Sequence, residues 1–144
     1  MINYKTITQA IQALLEDNLS GYIIVRNTER NTDASNAVSD GTTQKGWIGI
    51  YKGPLEYEPH STVKWLATIN PKIEIQVAHY NSETAENYLQ DAEKEVMDLL
   101  TANKKLSGTV NNTVGYSIDY EVNEDEEIYH NAAIITIKAE VTTT

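Results

Sequence analysis

The sequence lacks cysteine and phenylalanine altogether, and it contains only three prolines. Without cysteine, the chain cannot form a disulfide, a zinc–thiolate site or a thiol nucleophile. It also lacks an apolar run of transmembrane length, and its first residues have neither the cationic flank nor the apolar block of a signal peptide. We therefore expect a soluble protein of a reducing cytoplasm.

Basic residues are scarce as well, because 11 Lys and Arg stand against 21 Asp and Glu and give a net charge of −10. Proteins that grip nucleic acid place cations on its phosphates, so this balance argues against such a protein. It does not argue against a protein that nucleic acid slides past. Tyrosine, in contrast, occurs nine times, and its apolar ring with a polar tip suits contact surfaces.

A chain of 144 residues is long enough for one domain with a sizeable core, and its longest periodic stretch indicates how that core is built. Residues 82–108 carry a single apolar stripe at helical spacing. They predict a helix with Ser82 as its N-cap, Lys104 and Lys105 near its negative end, and Gly108 as its stop. A helix of this kind buries its stripe against a neighbouring layer.

The runs around this helix predict the sheet that receives it. Residues 4–17 show a second helical stripe. Residues 72–80 alternate, with Ile73, Ile75 and Val77 on one face and Glu74 and Gln76 on the other, which predicts a half-buried strand. Shorter strand-like runs occupy 22–25, 47–51 and 65–69, the last as an edge segment. Two alternating runs after the long helix pair as an antiparallel hairpin. The order α-β-β-β-α-β-β predicts one α+β domain spanning 1–144, in which a single, mostly antiparallel, twisted sheet is packed by two helices.

Two polar segments interrupt this pattern. Residues 27–45 are almost entirely polar, and so long a connection inside a compact domain is either functional or disordered. It is interpreted either as a flexible hairpin tip or as an arm that becomes ordered on a partner. Residues 52–64 contain Pro54 and Pro59, which remove strand donors and predict an extended or turn-like course. This second segment is either a surface loop or an extended arm.

No motif indicates catalysis, a metal or a cofactor. His60, His79 and His130 have no metal-ligand spacing. Residues 41–46 fit the first half of a phosphate-binding loop, but Trp47 and Ile48 stand where that loop needs Lys and Ser or Thr. The acidic run Glu124–Glu127 lacks the spaced frame of a calcium loop, so we expect a solvated turn between two strands. The sequence thus predicts a protein that is not an enzyme.

The order in which several stretches follow one another is distinctive. After the first helix and the polar loop come WIGIYKG, PLEYEP, WLATI, KIEIQVAHY, the helix ETAENYLQDAEKEVMDLL, and the strands VGYSIDY and AIITIKAEV. This order resembles the tail terminator (tail completion) proteins of long-tailed bacteriophages. The resemblance covers roughly Ile7 to Val141 and is strongest at 46–59 and 106–122. The loop 27–45 has no counterpart in it.

The resemblance implies a structural virion protein without cofactor, assembled in the host cytoplasm. It implies a homohexameric ring at the head-proximal end of the tail tube, where the ring stops tube polymerisation and offers a surface to the neck. The implied partners are further copies of the chain, the tail tube protein, and a neck or head-completion protein. DNA would pass through the lumen without specific binding, and no membrane is involved.

Three groups of residues are candidates for these contacts. Loops favour binding residues, so the tube or neck contact is placed at Arg30, Asp33 and Asp40. An arm between subunits is placed at Pro54, Tyr57 and Pro59, since a head-to-tail ring needs two different surfaces per subunit. The acidic lining of the lumen is placed either on the acidic side of the long helix or on Glu124, Asp125, Glu126 and Glu127.

Two other interpretations stay open at this point. The chain could be another head–tail joining or neck ring, which binds the head side instead of capping a tube. It could also be a small α+β ligand-binding domain or enzyme with a pocket between helix and sheet. Self-association separates these classes, because a closed ring favours assembly and a monomer that binds a small molecule favours the last.

Overall fold

The computed structural model describes residues 2–26, 38–125 and 127–143, with the backbone alone for Asp125. Two helices and seven strands make up the described chain. In chain order they are α1 (Tyr4–Asn18), β1 (Tyr22–Arg26), β2 (Gly46–Tyr51), β3 (Leu55–Pro59), β4 (Trp65–Ile69), β5 (Lys72–His79), α2 (Ser82–Ala102), β6 (Asn112–Asp125) and β7 (Ile128–Thr143).

All seven strands form one sheet, and β7 runs through its middle. One side of β7 pairs with β6, and the other side pairs with β5 and then with β4. The register on β7 does not change between them, since Ile69 pairs with Ala139 and Lys72, three residues on, pairs with Thr136. β4 and β5 therefore behave as one long strand with a break at 70–71.

Outside this long strand lie β2 and β3, again end to end. β2 pairs with β5 and β3 with β4, both antiparallel, and β1 adds to β2 as the single parallel pair among the described strands. Tyr51 pairs with Lys72 and Leu55 pairs with Ile69. The outer strand therefore advances by four residues where its partner advances by three. The extra residue lies in the Gly53–Pro54 joint.

The α+β class with a mostly antiparallel sheet is confirmed, but two details of the strand order differ from the prediction. Five strands precede α2, because β3 and β4 form a hairpin of their own. The edge position expected for 65–69 is wrong, since β4 lies between β3 and β7. The proline-containing segment is the outer strand instead, with Pro59 as its last residue. An outer strand tolerates the missing donor.

Both helices pack on the same face of the sheet. α1 lies over β1 and β2, whereas α2 lies over β5 and β7. None of the helices described is long and apolar enough to cross a membrane. The apolar stripes meet strand residues that are themselves fully buried, which accounts for the core. Its largest members are Ile7, Ile11, Leu15, Ile48, Ile50, Ile69, Ile73, Ile75, Leu100, Leu106, Ile135 and Ile137.

The long helix begins one residue earlier than its sequence predicts and also ends earlier. Its N-cap is Asn81 and not Ser82, because the Asn81 side chain accepts the Thr84 backbone N–H at 2.9 Å. It ends at Ala102, and the carbonyl of Lys104, already beyond the helix, accepts the hydroxyl of Thr113 at 2.7 Å. Lys104 and Lys105 therefore lie in a separate turn, which Gly108 closes with φ +81°.

The predicted β6–β7 hairpin is confirmed and is longer than expected. The ladder continues through the polar run, with Asn123 opposite His130 and Asp125 opposite Ile128. The connection is thus only two residues long, and Glu127 takes a left-handed conformation (φ 74°) within it. Backbone pairing does not depend on apolar side chains. A prediction based on polarity therefore made both strands too short at the turn.

The second face of the sheet is covered in its middle, which alternation did not predict. Glu74 was expected on the polar face of a half-buried strand, yet it is fully buried. It pairs with Gly49 of β2, so the buried side chains of Trp47 and Tyr51, two residues away on either side of Gly49, share its face of the sheet. A buried carboxylate needs donors, and the Gln76 side-chain amide donates to it. The ring of Trp47 lies against Gly49, where a side chain would collide with it.

The Gly53–Pro54 joint is held from both sides. The Gly53 backbone N–H donates to the Tyr4 hydroxyl at 3.1 Å, and burial raises the pKa of Tyr4 to about 12. A Cβ at Gly53 would collide with the carbonyl oxygen of Asn70, which belongs to the opposite strand. The joint therefore fixes the path of β3 relative to α1.

We expect Gly53→Ala to lower the free energy of unfolding by about 1–3 kcal/mol, because backbone on both strands must move to admit one methyl group. Urea denaturation followed by circular dichroism measures this change. Gly115→Ala is the matched control, since nothing lies within 4 Å of a Cβ at that strand position. Equal stabilities for the two variants would contradict the close approach at Gly53.

Candidate assembly surfaces

The β3–β4 hairpin exposes a group of large apolar side chains, which we call the hairpin surface. Its members are Leu55, Tyr57, Val63 and Trp65. Every residue of β3 is exposed, and Val63 at the tip is 70% exposed. Leu55 and Tyr57 face the same side of the sheet as their buried partners Ile69 and Ala67. The hairpin surface therefore extends the helix-facing layer beyond the helices.

The three residues predicted as an inter-subunit arm all lie on this hairpin. The carbonyl of Pro54 accepts the Asn70 backbone N–H at 3.1 Å, which ties the base of the hairpin to the joint. Tyr57 carries part of the exposed apolar area, and its hydroxyl accepts the Ile2 backbone N–H at 3.3 Å. Pro59 faces Trp65 at the end of the ladder. Tertiary structure thus gives this segment a firm base and an exposed tip.

A second exposed surface lies at the other end of β7, next to the β6–β7 turn. We call it the turn-end surface, and it consists of Tyr120, Val122 and Glu124. Alternation along β6 points these three to the helix-bearing face, and Tyr120 and Val122 are 58% and 66% exposed. The Tyr120 hydroxyl donates to Glu93 at 2.5 Å, and this bond raises the pKa of Tyr120.

The acids predicted for a lumen lie at this same end. Glu124 and Glu127 are exposed on either side of the turn, and Asp125 is the last residue of β6. Glu126 lies outside the described residues. The structure therefore brings the acidic turn and two exposed apolar side chains together, a combination that the sequence did not indicate.

Residues 38–45, the end of the polar connection, form a turn that is hydrogen-bonded to β5. Ser39 is buried and is hydrogen-bonded to Ala78 of β5 in both directions. The Ser39 backbone N–H donates to the Ala78 carbonyl at 2.7 Å, and the Ala78 backbone N–H donates to the Ser39 hydroxyl at 3.2 Å. Asp40 closes a tight turn by accepting the backbone N–H groups of the residues that follow, Thr42, Thr43 and Gln44. These bonds hold the pKa of Asp40 well below its usual range, chiefly through the hydroxyl of Thr43.

Asp40 was predicted to contact a tube or neck together with Arg30 and Asp33. Both of these lie outside the described residues. The Asp40 carboxylate accepts hydrogen bonds within its own turn. A contact with another protein at this loop would therefore be made by other atoms of the loop. Sequence reasoning missed this role, although an Asp two residues before Thr42 is a usual signal for such a turn.

A polar cleft of about 280 Å³ separates this loop from α2. Glu95 is its central group, for it accepts the Tyr22 hydroxyl at 3.0 Å and pairs with Lys45 at 3.1 Å. Burial raises the pKa of Tyr22, and the charge of Glu95 raises it further. Gly41 lies on the ring of Tyr88, where a Cβ would approach the ring to 2.8 Å. Glu95, one of the acids on α2, is therefore bonded within the molecule and is not simply solvated.

The histidines give no sign of a shared site. His79 packs edge-on against Tyr80 and Tyr88, and its Nδ1 accepts the Asn81 backbone N–H at 3.0 Å. His130 belongs to β7, and His60 donates its backbone N–H to the carbonyl of Lys64 at the hairpin tip. In the part of the chain that the structure describes, no three His, Asp or Glu residues lie close enough to hold a metal ion.

Comparisons with known proteins do not show which family the chain belongs to. No protein-family model matches the sequence, and no curated protein matches it. One similar solved chain belongs to a structure described as "Virion of native gene transfer agent (GTA) particle". It is 10% identical, with a TM-score of 0.34 over 93% of this chain and 91% of that chain. Similarity at this level carries no functional argument.

We expect Glu95→Ala to lower the free energy of unfolding by about 1–2 kcal/mol, because it removes a tyrosine hydrogen bond and an ion pair that links α2 to the loop. Urea denaturation gives the change. Glu86→Ala is the control on the exposed side of the same helix, with an expected change below about 0.5 kcal/mol. An equally small loss for Glu95→Ala would show that the loop is not anchored through Glu95.

The lowered pKa of Asp40 predicts a pH-dependent contribution to stability. A carboxyl with a depressed folded-state pKa stabilises the fold fully above its unfolded pKa of about 3.9, and this contribution is lost as the pH falls through the folded-state value. We therefore expect the wild type to exceed Asp40→Ala in stability at pH 7, with the difference shrinking below about pH 4. Thermal unfolding of both proteins across pH 2–7 measures it, and a constant difference would contradict the turn.

Proposed function

We propose that the chain is a structural protein of a bacteriophage virion, which forms a homohexameric ring at the head-proximal end of the tail tube. In this role it stops tube polymerisation, offers the neck a surface and lets DNA pass through its lumen. It acts as an assembly component and not as an enzyme. Its partners are its own copies, the tail tube protein and a neck or head-completion protein.

The observation that supports this proposal most is the hairpin surface. Four large apolar side chains stand exposed on a hairpin whose base is fixed by the Gly53–Pro54 joint. Contiguous exposed apolar area of this kind is typical of protein–protein contacts. The resemblance of the order of the chain's sequence stretches to tail terminators adds support.

The charge of the chain is consistent with a lumen for DNA. A net charge of −10 repels phosphates on average, so DNA is not retained during passage. We assign the lining of the lumen to the tip of the acidic turn at Glu127, whereas Glu124 is left for a contact between subunits. The loop that Asp40 closes is assigned to the tube or neck contact, since it is exposed and held in one turn by the hydrogen bonds to Asp40.

Light scattering on the purified protein tests the proposal, first alone and then with tail tubes of the same virus. A free hexamer, or six copies bound per tube end, is the expected result. A ring that binds head or neck particles and ignores tubes would instead favour another head–tail joining protein. A monomer that ignores both would sink the proposal, and the cleft around Glu95 would then be tested for a small ligand.

We further expect the double variant Val63→Ser, Trp65→Ser to weaken self-association by about tenfold or more, because each removed apolar contact contributes more than about 1.4 kcal/mol when buried. Sedimentation velocity measures the shift. Ile23→Ser is the matched control, since Ile23 is 52% exposed on β1, away from the hairpin. Equal association of both variants would exclude the hairpin from the contact.

A further inference from the structure

The two exposed surfaces lie at opposite ends of the subunit and on opposite rims of its sheet. The hairpin surface is at the β4 end of β7, whereas the turn-end surface is at the end where β7 begins. In the described sheet, β3 pairs with β4 alone and β6 with β7 alone, so each surface adjoins a strand with one open side. One copy therefore presents two different apolar surfaces to its surroundings.

Exposed charges are divided between the same two ends. α1 begins beside the hairpin, where Tyr4 contacts Gly53, and the turn after α2 lies at this end too, where Thr113 contacts Lys104. Exposed bases consequently outnumber exposed acids at the hairpin end, whereas acids dominate the turn end. At the hairpin end the bases are Lys5, Lys52, Lys64, Lys104 and Lys105 and the acids are Glu56, Glu58 and Asp98; at the turn end the acids include Glu16, Asp17, Glu83, Glu124 and Glu127.

The surfaces themselves follow this division. Residues 119–127 contain six acidic and no basic residues. Lys52 precedes the hairpin and Lys64 lies at its tip beyond the ladder, while the acids Glu56 and Glu58 alternate onto the face opposite to Leu55 and Tyr57. Two copies that each carry a net charge of −10 repel one another on average. A basic end against an acidic end is the arrangement that offsets this repulsion.

We propose that the hairpin surface of one copy docks on the turn-end surface of the next copy. This inference rests on the proposed function and adds the pair of surfaces that joins neighbouring subunits. Val63 and Trp65 cover Tyr120 and Val122, and Lys64 faces Glu124. The contact is head-to-tail, and its repetition forms a ring when the rotation between neighbouring copies closes. A contact between two turn ends would instead bring the six acids of residues 119–127 against the same six of another copy and is disfavoured.

Engineered disulfides test this pairing directly, because the chain has no cysteine of its own. Val63→Cys and Val122→Cys are produced as single variants, alone and co-expressed, and are then oxidised. The expected result is a disulfide-linked dimer in the co-expressed sample and none in either single variant. A chain that carries both substitutions should give a ladder of linked multimers. Ile23→Cys co-expressed with Val122→Cys is the control and should give no dimer.

Charge reversal provides a second measurement on the same cysteine pair. Lys64→Glu on the Val63→Cys copy should lower the disulfide yield severalfold, and so should Glu124→Lys on the Val122→Cys copy. Together the two reversals should restore the yield, since the pair of opposite charges is rebuilt. Restoration is not expected if either substitution merely disturbs folding.

Failure of the inference and failure of the proposed function give different results. Oligomers by light scattering without a 63–122 disulfide, or a dimer of Val63→Cys with itself, would overturn the pairing while leaving a ring protein possible. Absence of any self-association, alone or on tail tubes, would overturn both. The charge-reversed pair failing to regain its yield would remove Lys64 and Glu124 from the contact.

Discussion

Backbone hydrogen bonding along both sides of β7 is the interaction on which the rest of the structure depends. The 16 residues of this strand pair with β6 on one side and with the β4–β5 row on the other. Because the register on β7 is unbroken across Pro71, the helix-facing positions of β4 and β5 stay aligned. The helices can then cover one continuous apolar layer.

The length of β7 also separates the two ends of the molecule. The helices cover the middle of the sheet, and the β3–β4 hairpin and the β6–β7 turn project at opposite ends. Apolar side chains that a helix would otherwise bury remain exposed there, Trp65 at one end and Val122 at the other. A sheet longer than the helices that cover it is thus the physical origin of both candidate surfaces.

Electrostatics gives these surfaces a direction. α1 begins and α2 ends near the hairpin, so their terminal lysines add to those of the hairpin, while Glu16, Asp17 and Glu83 add to the acidic turn. Contact between unlike ends reduces repulsion between acidic subunits, whereas contact between like ends increases it. The charge pattern therefore selects between modes of association that apolar area alone would allow.

Several elements were predictable from the sequence because their causes are local. The stripe of α2, the alternation of β5 and the β6–β7 hairpin follow from side-chain period, and the α+β class follows from their order. Capping was less predictable, since Asn81 and Ser82 are both good caps and the choice depends on where the preceding strand ends.

Tertiary structure alone decided the features that join distant parts of the chain. The contacts of Glu95 with Lys45 and Tyr22 span 50 and 73 residues, so no local period indicates them. The inner position of β4 depends on a hairpin folding out beyond it, and the burial of Glu74 depends on the second face of the sheet being covered. The sequence by itself determined the helices, the strands and their apolar faces, whereas long-range pairing determined which ends, acids and apolar side chains came to lie together.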